Sequence, residues 1–150
     1  MTTTPLQDAV TAIQARLTAN VASLGAGLTV DKINWFGKGF ARAPHPTDVF
    51  AVVDMEDFDT SPAAAGANAG DRIDGSAELT VFAPRGKKST TILAVLDAAR
   101  LLFPRGLTLP QGDTTLDFLT PAFVKVQLPE EEAKAYEAEA VAFPFIIFTT

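Results

Sequence analysis

The sequence predicts an α+β fold: two helices packed on one face of a mainly antiparallel β-sheet, in the order α-β-β-β-α-β-β-β. Three observations predict it. Apolar residues recur every three or four positions over residues 5–24 and again over 89–103, the period of a half-buried helix. Residues 73–83 alternate apolar and polar, the period of a half-buried strand. Gly- and Pro-rich turns separate the remaining short apolar runs. A chain of 150 residues is the size of one domain, 1–150.

The first helix opens with Thr4 as N-cap, Pro5 at the first helical position and Gln7 three residues after the cap, a capping box with a proline start. Leu6, Val10, Ile13, Leu17, Val21 and Leu24 form its expected apolar face, and Gly25 and Gly27 end it. A strand is expected over Leu28–Phe36, then a Gly/Pro loop over 37–47, then a buried strand over Asp48–Met55. Residues 60–70 hold no large apolar group and are expected to be mobile. In the next strand Ile73, Gly75, Ala77, Leu79, Val81 and Ala83 alternate with Asp74, Ser76, Glu78 and Thr80, and Phe82 interrupts the polar face. Ser89 or Thr90 caps the second helix, whose expected face is Ile92, Leu93, Leu96, Ala99 and Phe103, with Pro104 as the stop. Leu107–Leu109, Thr114–Leu119 and Ala122–Leu128 read as strands, and Pro129–Glu132 as one helical turn. Ala138–Phe148 closes the chain as an apolar strand. Proline cannot donate to a ladder, so Pro144 predicts that this strand is an edge or is bulged.

Composition excludes several function classes. The chain has 12 basic and 18 acidic residues, a net charge of −6, no Cys and a single His. Disulfides, thiolate metal sites and a Cys nucleophile are therefore impossible, and a multi-His metal centre cannot form within one subunit. An acidic chain is poorly suited to gripping phosphate backbones, an affinity that comes from Lys and Arg. No apolar run is long enough for a membrane-spanning helix, and the N-terminus shows no secretory signal pattern. With Gly counted in and Tyr out, just over half of the residues are apolar, against about 45–50% in soluble domains. A large core, or apolar surface covered by other chains, would account for the excess.

The chemical motifs fail on spacing. Ala83–Thr90 follows a strand and opens a helix, but a phosphate loop built on Gly86-Lys87 needs Gly at position 81, which is Val, and one built on Lys88-Ser89 needs Gly at 87, which is Lys. Asp54, Glu56, Asp57 and Asp59 gather carboxylates without the order of a calcium loop. His45 is flanked by Pro44 and Pro46, and no Gly-x-Ser-x-Gly elbow accompanies it. Trp35, Phe36 and Phe40 lie among Lys32, Lys38 and Arg42, a pattern that stacks on nucleic-acid bases in other settings but here reads as a strand end and a solvated loop.

The order of the elements, and several turns, resemble the small tail-terminator (tail-completion) proteins of long-tailed bacteriophages and gene transfer agents. The resemblance rests on the long N-terminal helix, the strand ending Asn34-Trp35, Arg72-Ile73-Asp74-Gly75, Ala83-Pro84-Arg85-Gly86, Phe103-Pro104-Arg105-Gly106 and the closing Ala142-Phe143-Pro144-Phe145-Ile146. It spans nearly the whole chain, although Glu130–Glu139 is longer than the turn usual there. It implies a virion structural protein of the tail–head neck, made in the bacterial host cytoplasm, with no catalytic group, metal or cofactor. Its partners would be itself, in a six-membered ring, the tail tube protein and the head-closure or connector protein, with DNA passing through the lumen and no membrane.

A ring requires patches that differ and close by rotation. The residues expected to supply them are the acidic group Asp54, Glu56, Asp57 and Asp59, the basic group Arg85, Lys87 and Lys88 on a neighbour, and the closing strand's Phe143, Phe145 and Phe148. The 60–70 loop is expected to order on contact. A negative lumen would let DNA slide by like-charge repulsion. Three other readings compete: another head–tail connector (head-closure or adaptor) protein, a small carboxylate-based enzyme, and a monomeric module with a ligand pocket between helices and sheet.

Overall fold

A computed structural model describes residues 5–35, 48–62, 70–86 and 89–149. The fold is α+β. Helix α1 (Pro5–Leu24) leads to β1 (Ile33–Asn34), β2 (Phe50–Pro62) and β3 (Asp71–Pro84); α2 (Ser89–Leu102) follows, then β4 (Thr108–Gln111), β5 (Thr114–Phe118), β6 (Ala122–Lys125), the short α3 (Glu130–Ala135) and β7 (Tyr136–Phe148). The seven strands form one sheet in the order β1-β2-β3-β7-β5-β4, with β6 also paired to β7. Every pairing is antiparallel except β1 with β2.

Helices α1 and α2 lie side by side on one face, α2 over β3 and β7 and α1 over β4 and β5. Between them and the sheet sits the main core. Ile13 and Leu17 enter it from α1, Ile92, Leu96 and Phe103 from α2, and Leu79, Leu116, Phe143 and Phe145 from the sheet. Phe103 packs on Phe143 and Phe118, with ring centroids 4.6 and 5.3 Å apart. A second, smaller cluster lies at one end of the opposite sheet face, where Phe50 stacks on Phe82 at 4.9 Å and meets Tyr136 edge-on at 5.5 Å. Phe82 interrupts the polar alternation of β3 because it belongs to this cluster.

Most of each expected helix face is buried: Ile13, Leu17 and Leu24 in α1, and Ile92, Leu96 and Ala99 in α2, with Phe103 just beyond its end. The departures are Leu6 and Leu93, which are exposed, and Ala9, Ala12 and Val95, which are buried as well. The small side chains of Ala9 and Ala12 widen the buried stripe of α1. The expected N-cap Thr4 and loop 37–47 lie outside the described residues.

Three strands depart from expectation. Leu28–Phe36 is mostly not a strand: Lys32 N–H donates to Thr29 carbonyl oxygen in a 3-10 turn over Val30–Lys32, leaving only Ile33–Asn34 extended. The second strand runs on through the acidic group to Pro62, with a bulge between Glu56 and Asp59. Thr60–Pro62, expected in a mobile loop, are therefore strand, and 63–69 lie outside the described residues.

The largest correction concerns the closing strand. β7 is neither an edge nor bulged: it pairs with β3 from Arg72↔Phe148 to Pro84↔Tyr136 without a break, and with β6 and β5 on its other side. Pro144 is tolerated because of where its missing N–H points. Its carbonyl accepts a hydrogen bond from Leu119 N–H at 2.8 Å, so its nitrogen also faces the β5/β6 side, since both backbone groups of a strand residue point the same way. There, Pro144 falls between the β6 pairing, which ends at Ala142, and the β5 pairing, which starts at Phe145. No ladder bond is lost.

Gly75 of β3 marks the tightest contact in this core. A Cβ there would stand 2.7 Å from Phe145 Cζ and 3.1 Å from Phe58 Cε1. Gly75→Ala is expected to destabilise the fold by about 1–3 kcal/mol through overpacking, read as a lower urea midpoint; an unchanged midpoint would contradict the packing.

Candidate functional site

Beyond the Phe50–Phe82–Tyr136 cluster, the sheet face away from α1 and α2 is not covered by a helix among the described residues, and cross-strand register decides what it displays, because directly paired residues point to the same side. Asp54 pairs with Glu78, and Glu78 with Ala142. Asp59 pairs with Asp74, Asp74 with Ile146, and Ile146 with Asp117. Glu56, Ser76 and Pro144 form the row between. Six carboxylates from three strands thus share one surface with the β7 column Ala142, Pro144, Ile146 and Phe148.

The acidic group Asp54–Asp59 was visible as a run in the sequence; Asp74, Glu78 and Asp117 join it only through register. The local signal for Asp74 and Glu78 was the wet side of the β3 alternation. Arg72 offsets part of the charge. Its Nε and Nη2 donate to both oxygens of Asp74 at 2.9–3.2 Å. The hydrogen bonds, and then the attraction of the charge, raise the already basic guanidinium further, so it stays charged wherever the fold exists.

The expected basic group is partly described. Arg85 donates from Nε to the Ala133 carbonyl and from its backbone N–H to that of Ala135, and Nη1 stands 4.0 Å from Glu137 Oε1. It thus also satisfies carbonyls at the end of α3. Lys87 and Lys88 lie outside the described residues, as do His45, Phe36, Phe40, Lys38 and Arg42. The side chain of Asp57 is likewise not described. Lys32, from the aromatic–basic group, pairs with Asp48 at 3.7 Å and donates to Gly27 carbonyl oxygen.

The three phenylalanines of β7 divide. Phe143 and Phe145 point toward the helices and are buried in the core, so their rings serve the subunit itself; Phe148, on the open face, is 51% exposed.

Beside α2, two adjoining grooves of about 390 and 300 Å³ follow the β6 edge. They share Leu93 and Glu139 and are lined by Phe123, Val126 and Leu128 among others. Among the described residues no three His, Asp or Glu side chains are placed to hold a metal ion, and no helix is long and apolar enough to cross a membrane.

No protein-family model matches the chain, and no curated protein does. Solved structures do. A chain from the virion of a native gene transfer agent particle superposes with a TM-score of 0.63 at 15% identity, covering 99% of this chain and 100% of that one. A second solved chain, whose description states no function, gives 0.65 at 16% identity over 99% of both. The fold is therefore shared end to end, with little sequence in common.

Phe143→Ala is expected to cost about 3–5 kcal/mol of stability, and Phe148→Ala less than about 0.5 kcal/mol, in paired denaturation curves. Equal losses would contradict the division of β7 into a core side and an open side.

Proposed function

We propose that this chain is a structural protein of a phage-like or gene-transfer-agent virion, and within it the tail terminator. Copies form a six-membered ring that caps the tail tube, stops its growth and offers its other side to the head connector. One observation carries the reading: a chain of a gene transfer agent virion has this fold over its whole length. The turns that gave the sequence resemblance, 83–86 and 103–106, are consistent with it.

The work of such a protein is done by surface. The acidic sheet face suits a wall past which DNA slides, because fixed like charge keeps the polyanion from adhering. The acidic group on β2 and the basic group Arg85, Lys87 and Lys88 are complementary across a head-to-tail contact, which sets register more than affinity. The protein acts without catalysis or cofactor, in the neck of the virion, after synthesis in the host cytoplasm.

Purified protein mixed with tail tubes is expected to give rings on tube ends in electron micrographs, and to co-purify with tails rather than with filled heads. A monomer at every concentration, with no affinity for tubes, would contradict the proposal. Co-purification with heads instead would assign it to head closure. Reversing the charge of Lys87 and Lys88 together is expected to weaken ring assembly and tail-length control, and unchanged behaviour would remove the electrostatic element.

A further inference from the structure

We propose that residues 126–135 form a strap that lifts off the body of the fold locally, with Arg85 as its latch. The proposal concerns the single chain and does not depend on the ring reading.

The strap is the stretch between β6 and β7. Its first part, residues 126–129, joins neither helix nor strand, so no ladder holds it down. Its second part is α3, only six residues long. Helices shorter than about 12–15 residues are marginal in water by themselves, so α3 depends on what it rests against. Its sequence, Glu130-Glu131-Glu132-Ala133-Lys134-Ala135, offers two alanines as its only apolar side chains, and none of its residues is fully buried.

An apolar and a polar contact hold the strap in place. Val126, Leu128 and Ala135 pack, partly buried, on the Phe50–Phe82–Tyr136 cluster. Arg85 supplies the polar contact. It stands one residue past Pro84↔Tyr136, the last pair of the β3–β7 ladder, and its backbone N–H donates to Ala135 carbonyl oxygen at 2.8 Å. That bond fixes the end at which the strap joins β7. The side chain then reaches further along α3, where Nε donates to Ala133 carbonyl oxygen at 2.7 Å. This carbonyl lies in the last turn of α3, where no intrahelical donor remains for it.

Between the strap and α2 lies the groove of about 390 Å³, with Val126, Leu128 and Ala133 on the strap side and Ile92 and Leu93 on the body side. Unfilled space of this kind forfeits dispersion contacts. Lifting the strap therefore gives up far less buried surface than breaking the β3–β7 ladder, and such segments open at a fraction of the global cost. Opening widens the groove and uncovers the aromatic cluster beneath Val126 and Leu128. The Arg85 side chain sets how often it happens.

Residue-resolved amide hydrogen exchange on the full chain tests this. The reporter is Ala133 N–H, which donates to Pro129 carbonyl oxygen at 2.9 Å within the strap. In the unsubstituted chain it is expected to exchange at least about tenfold faster than the central amides of β3 and β7. Arg85→Ala is expected to raise its rate by about a further fivefold, with the rates in β3 and β7 and the melting temperature unchanged. Ala133 exchanging as slowly as β3 and β7 would overturn the proposal, because the strap would then open only with the whole fold. An Ala133 rate untouched by Arg85→Ala would overturn the latch. An equal rise at Ala133, β3 and β7 would make Arg85 a stabiliser of the whole fold and would overturn it as well.

Discussion

The β3–β7 ladder is the constraint on which the rest of the molecule depends. Its register runs unbroken from Arg72↔Phe148 to Pro84↔Tyr136. Because side chains alternate along a strand, that one register sends Phe143 and Phe145 to the helices and Ile146 and Phe148 to the open face. A slip of one residue would exchange them and expose the core. β7 also carries β5 and β6 in tandem on its other side, so it joins the β2–β3 hairpin to the segment that α1 covers. The last residues of the chain therefore complete the core that the first helix starts, which makes the topology strongly non-local.

Local physics made much of this legible. The β3 alternation gave its face correctly because half-burial writes a period of two directly into the sequence. Both helices were found by their periodicity, and α2 by its proline stop. What stayed hidden was tertiary. Pro144 argued for an edge strand under a general rule, and the rule failed because the missing N–H meets the gap between two partner strands. No property of residues 138–148 alone reveals that gap. Phe143 and Phe145 looked like contact aromatics for the same reason. The burial of Ala9 and Ala12 beside Ile13 and Leu17 depends on how closely neighbouring elements approach, which apolar size does not encode.

The functional surface was legible in the same uneven way. The run Asp54–Asp59 stood out, but its extension by Asp74, Glu78 and Asp117 required the register of three strands. Asp54 opposite Glu78, and Asp59 opposite Asp74, set like charges directly across from each other, which costs stability in a sheet. Arg72 offsets part of it through its ion pair with Asp74. Under the proposed function, such a face would act by like-charge repulsion of a passing polyanion. Sites of this kind are where local rules yield to function.

The central claim is that the unbroken β3–β7 ladder is the scaffold on which the rest of the fold depends. Amide hydrogen exchange tests it most directly. The account predicts the slowest exchange along β3 and β7, with the short strands β1 (Ile33–Asn34) and β6 (Ala122–Lys125) exchanging faster. Exchange along β3 and β7 as fast as at β1 and β6 would contradict it.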